Sequence, residues 1–97
     1  MKPSLALERH RTEIRRIVES NQAANPRVFG SVVRGEDTEE SDLDILVDGI
    51  DGKTTLLSLA RIQLAIEALA GVKVDVHTPL SLHERFRGEV LMEAKAI

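Results

Sequence analysis

The chain has 97 residues, a length that fits one domain and excludes a two-domain reading. Hydrophobic residues make up 42% of it but only Phe29 and Phe86 are aromatic, so the core is aliphatic, and the absence of cysteine excludes both a disulfide framework and thiolate metal sites. Thirteen Lys and Arg against 16 Asp and Glu give a formal charge of -3, which argues against a nonspecific nucleic-acid coat protein, because such binding needs a basic surface.

Leu7, Ile14, Ile17 and Val18 recur on one face of a helix predicted over 4–21, ended by Asn25 and Pro26. Arg27, Val28 and Phe29 read as a short strand meeting Gly30 and Ser31. Ser31 is the expected N-cap of a helical turn through Arg34, closed by Gly35. An acidic loop, Glu36 to Glu40, leads to a second strand over Asp42 to Val47, stopped by Asp48 and Gly49. A helix follows over 54–70 with Gly71 as its C-cap residue. Val72, Val74 and Val76 then alternate with Lys73, Asp75 and His77, the period of a strand with unlike faces. Pro79 ends that strand, and Ser81 with Glu84 has the form of a capping box opening a last helix. The expected fold class is α+β, a small mixed sheet flanked by helices in the order αβ(turn)βαβα, as a single domain over residues 1–97.

The charge distribution is uneven. Residues 1–34 carry Lys2, Arg9, Arg11, Arg15, Arg16, Arg27 and Arg34 against Glu8, Glu13 and Glu19, whereas 36–52 carry Glu36, Asp37, Glu39, Glu40, Asp42, Asp44, Asp48 and Asp51 and no base. No stretch approaches the roughly 18 apolar residues of a membrane span, and Met1 to Asn21 is too charged for a secretory signal, so a cytoplasmic location is expected.

Asp42 and Asp44, two apart on a strand, project their carboxylates from one face at one end of the sheet. Like charges held this close either raise one another's pKa or recruit a cation, and hard oxygen ligands suit Mg²⁺. Asp75 lies on the polar face of its own strand. If the two strands are neighbours, three carboxylates converge, enough for two Mg²⁺ about 4 Å apart. Upstream, Gly30 and Ser31 form a strand-to-helix corner whose backbone N–H groups favour a phosphate, and Arg34, one turn on, offers a planar fork to the same anion. His77 falls on the same strand face as Asp75. Two decoys fail on spacing: Gly52-Lys53-Thr54 would end a P-loop whose first glycine position holds Val47, and a calcium loop counted from Asp42 places Leu46 at a ligand position.

The string GSVVRGEDTEESDLDILV, from Gly30 to Val47, resembles the nucleotidyltransferase superfamily that includes DNA polymerase β, and looks most like its minimal, stand-alone members. The family pattern GSxxRG is matched by Gly30, Ser31, Arg34 and Gly35. Ser41, Asp42 and Asp44 match the SDxD that follows, and Asp75 the later carboxylate. The resemblance spans 27–79. It implies that Asp42, Asp44 and Asp75 are catalytic and ligate two Mg²⁺, with Gly30, Ser31, Arg34 and the backbone near Ser41 holding the β and γ phosphates of ATP or another nucleoside triphosphate. It further implies transfer of AMP to a hydroxyl, with the protein acting as antitoxin to a HEPN-domain toxin in a hetero-oligomer. With no second domain expected, the acceptor would arrive as a docking protein. A rival of another class is a binding antitoxin that covers its toxin without chemistry. A third is an RNA-directed transferase using the helix that carries Arg9 to Arg16.

Overall fold

The computed structural model describes residues 1–97. The first helix, α1 (Pro3–Ser20), is followed by β1 (Ala23–Phe29) and a single helical turn, α2 (Ser31–Arg34). Next come β2 (Leu43–Gly49), α3 (Leu56–Ala70) and β3 (Val74–His77). A 3-10 turn (Pro79–Ser81) leads into α4 (Glu84–Glu93), and the two-residue β4 (Lys95–Ala96) ends the order. The strands form one mixed sheet in the order β3-β2-β1-β4: β1 runs antiparallel to both β2 and β4, while β2 and β3 are parallel, joined by α3 as the crossover helix.

Pleat alternation sorts β2 into two faces. Leu43, Ile45 and Val47 point into the main core, where Ala6, Leu7, Ile14 and Val18 of α1 and Ile62, Ile66 and Ala70 of α3 close over them. Burial of each large aliphatic side chain there is worth about 1.5–3 kcal/mol. Asp44, Leu46 and Asp48 point the other way. Leu46 packs with Phe29 and Leu82 in a small second cluster, joined by Val90 of α4 and Ala94 just beyond it. One face of the sheet therefore carries the bulk of the core, and the other carries polar chemistry under a thin apolar patch.

Several boundaries differ from the expected ones. Asn25 and Pro26 do not terminate α1 but lie inside β1, where Asn25 adopts a positive φ of 51° and the register with β2 shifts between Ala24 and Arg27. This bulge is clamped by Asp48, which accepts from Arg27 Nη2 at 2.5 Å and from Asn25 Nδ2 at 3.0 Å. Gly30, not Ser31, occupies the N-cap position of α2, and Ser31 makes no side-chain cap. The capping box involving Ser81 pairs it with Thr78 at the 3-10 turn, while α4 is capped by His83, whose ring nitrogen accepts from Arg85 N. The expectation of Gly71 as C-cap residue of α3 holds, with φ 71°. β4 carries no periodic signal in two residues, and the chain order has this one strand beyond the expected αβ(turn)βαβα.

Candidate active site

Parallel pairing of β2 and β3 sets Asp44 directly against Asp75, with Leu43 against Val74 and Ile45 against Val76 on the core side. Adjacent strands lie about 4.8 Å apart, so the two carboxylates leave the same face as neighbours. Asp42 stands one pleat earlier, just ahead of β2, where Leu43 N donates to Lys73 O at 2.8 Å and prolongs the ladder. The three acids thus meet at one end of the sheet. Their side chains as oriented do not form a ready cage: no three His, Asp or Glu stand close enough to share an ion.

The electrostatics nevertheless describe a place short of positive charge. Asp44 is half-buried, and its carboxyl is pushed up to about 6, first by burial and then by the charges of Asp75 and Asp42, with Arg34 only partly offsetting them. A donor set made wholly of carboxylate oxygens, mutually repelling, fits a hard divalent cation such as Mg²⁺.

Above Asp44 sits the Gly30 corner. Gly30 has φ 78° and ψ -149°, a region essentially closed to residues with a side chain. The space explains the residue as well: a Cβ built on Gly30 would overlap the Asp44 carboxylate oxygen, with Asp44 Cγ only 3.2 Å away. The chain turns here so tightly that the side where Gly30 lacks a Cβ faces the Asp44 carboxylate, while its N–H donates to Glu93. Ser31 starts α2 as a half-buried residue, and Arg34 ends it, exposed, one turn from the corner. Gly35 closes α2 in the left-handed conformation.

Ser41, expected near the phosphates, lies in the turn that leads into Asp42. Its amide donates to Thr38 O at 3.1 Å and its hydroxyl accepts from Thr38 N at 2.9 Å, so both stabilise the acidic loop. That loop is tied to α1, since Asp37 Oδ2 accepts from Ser4 N at 2.9 Å. His77 lies edge-on to Phe29, ring centroids 6.0 Å apart, against the second apolar cluster. On the basic helix, Arg11 and Arg15 donate to the carbonyls of Ala96 and Ile97.

One residue in this site has no counterpart in the sequence reading. Glu93, the last residue of α4, accepts from Gly30 N at 3.0 Å and pairs with Arg34 Nη1 at 3.1 Å. An acid in the final turn of a helix opposes the helix dipole, and that mismatch in the sequence is the signal that could have found it. The largest cleft, about 640 Å³ and lined by residues such as Ile50, Thr55 and Leu80, opens at the far end of β2. Size and chemistry disagree here, and the carboxylates with the glycine corner decide the assignment.

A nucleotidyltransferase domain model matches residues 7–97. The protein adenylyltransferase MntA of Thermococcus cleftensis is 44% identical over 66 residues, 68% of this chain and 66% of its own length. A provisionally named protein adenylyltransferase of Methanocaldococcus jannaschii is 43% identical over 67 residues, covering 69% of this chain and 71% of that protein. Among solved structures, one provisionally described as a minimal nucleotidyltransferase superposes with a TM-score of 0.85 at 42% identity, over 97% of this chain and 95% of the other. A toxin–antitoxin complex with AMP-PNP shares the fold, with a TM-score of 0.74 at 20% identity over 88% of this chain and 69% of that one. No helix is long and apolar enough to cross a membrane. The chain belongs to the nucleotidyltransferase domain family, and within it is a minimal nucleotidyltransferase.

Proposed function

We propose that this nucleotidyltransferase moves AMP from ATP onto a hydroxyl of a HEPN-type toxin, and so acts as its antitoxin. The observation that carries the reading is the pairing of Asp44 with Asp75 in contact with the Gly30 corner, which sets the Gly30 turn and Arg34 beside a cation-demanding acid cluster. Support for a protein acceptor comes from the name of the Thermococcus cleftensis relative. Toxin–antitoxin complexes that share the fold, one of them with AMP-PNP, support the partner and the nucleotide.

In this reading Gly30 N–H and Arg34 donate to the β and γ phosphates, and the Ser31 hydroxyl adds a third donor. Asp42, Asp44 and Asp75 are the residues that would hold Mg²⁺, which would supply neutralisation of the charge that builds up during phosphoryl transfer. The acceptor oxygen forms its bond to the α-phosphorus, the bond to the pyrophosphate oxygen breaks, and the acceptor proton passes to the carboxylate cluster or solvent. Asp75, exposed beside half-buried Asp44, is the acid best placed to meet an incoming protein. Ser41 serves by shaping the loop that leads into Asp42.

The test is to incubate the chain with the candidate toxin, ATP and Mg²⁺ and to weigh the intact toxin. An added AMP unit that disappears with Asp42→Asn and Asp44→Asn is expected. A toxin that is inhibited but unmodified overturns the transferase reading in favour of neutralisation by contact alone.

A further inference from the structure

Two of the three donors assigned above to the phosphate tail are already engaged. Glu93 Oε1 accepts from Gly30 N at 3.0 Å and from Arg34 Nη1 at 3.2 Å, while Oε2 accepts from the same nitrogen at 3.1 Å. A carboxylate presents two anionic oxygens much as two phosphate oxygens would, so it matches the cradle in charge and in donor geometry. We infer that Glu93 is a built-in occupant of the phosphate cradle, and that a nucleoside triphosphate binds by displacing it. This inference rests on the function proposed above and concerns the regulation of that same site.

The placement is costly for any purely architectural role. Glu93 sets a further negative charge near Asp44, against the helix dipole, where only Arg34 and the Gly30 amide compensate. The helix that carries it is lightly held, for none of the ten residues of α4 is buried, and its contact with the sheet runs through half-buried Val90 to Phe29 and Leu46. Below Glu93 the chain is pinned, since β4 pairs with β1 and Ile97 N donates to Pro26 O at 3.1 Å. A glutamate has three rotatable side-chain bonds. It leaves the cradle by rotation, without unpacking the sheet, and returns when the cradle empties. Arg34 keeps a second partner, Glu36, at 3.5 Å, so release of Glu93 does not leave the guanidinium alone.

The test compares the full chain with Glu93→Gln and Glu93→Ala, each checked for an unchanged melting profile, by calorimetric titration with AMP-PNP and Mg²⁺. Removing an occupant raises the fraction of competent sites, so the apparent Kd is expected to fall about 5- to 50-fold in both variants. In the unaltered chain, titration with AMP-PNP is expected to shift the Gly30 amide resonance and the Glu93 side-chain carboxyl resonance together. Equal affinity in all three proteins overturns the inference and leaves the nucleotide site standing. Weaker binding in the variants overturns it too, because Glu93 would then be part of the bound state. Persistence of the Gly30 to Glu93 bond in the saturated complex also overturns it, whatever the variants do. Absence of nucleotide binding in every protein overturns this inference together with the proposed function.

Discussion

The hydrogen that Gly30 carries in place of a side chain points at the carboxylate of Asp44, so the anion corner and the acid cluster are in contact through one missing methyl group. Gly30→Ala adds that methyl at φ 78° and drives it into Asp44. Strain and overlap together are expected to cost at least about 2 kcal/mol of stability. Urea unfolding measures this cost. Nucleotide affinity is expected to fall with it, whereas Gly35→Ala, with open space at its Cβ position, is expected to cost less and to leave Asp44 untouched.

Asp44 is expected to destabilise the metal-free fold. Its carboxyl sits at about 6 in the folded chain against an ordinary 3.8, so the unfolded chain gives up this proton more readily than the folded one. The contribution to stability is therefore lost as pH rises from about 4 to 6, and regained on acidification. After allowance for solvent screening of a half-exposed group, Asp44→Asn is expected to stabilise the metal-free protein at pH 7 by about 1 kcal/mol. Thermal unfolding in a chelator checks this, and the same variant is expected to lose the stabilisation that added Mg²⁺ confers on the unaltered chain.

Asp37 is expected to behave with the opposite sign. Burial on its own pushes this carboxyl up, but the Ser4 amide and nearby Lys2 overcome it and hold it below the ordinary value. Its contribution is present above the unfolded pKa and lost as pH falls through the folded one, below about 4. Asp37→Ala removes a through-space cap from the first turn of α1 and is expected to cost about 1 kcal/mol near neutral pH. Denaturant titrations at pH 7 and pH 3 separate the two, the difference between variant and parent shrinking at the lower pH.

Leu46→Ala opens a void between the sheet and α4. Leu46 is fully buried against Phe29 and Leu82, and its truncation is expected to cost about 2–4 kcal/mol. Because this cluster is the main apolar tie of α4, amide exchange along 84–93 is expected to accelerate more than exchange in α3. Uniform acceleration in both helices contradicts the separate attachment of α4.

The sequence by itself determined the helices with strong 3.6-residue periodicity, the glycine–serine corner and the pair of aspartates at alternate positions, because each of these is written in local spacing. It also determined that Asp75 sits on the polar face of a strand, by simple alternation. Only the tertiary structure decided that this strand lies beside β2 in the register that opposes Asp75 to Asp44, since pairing partners and register depend on backbone hydrogen bonds between segments some thirty residues apart. The same holds for the bulge at Asn25, which is clamped by distant Asp48. Glu93 is the sharpest case: an acid at a helix end marks the residue as unusual, but its partners Gly30 and Arg34 are about sixty residues away in the chain, and no local pattern names them.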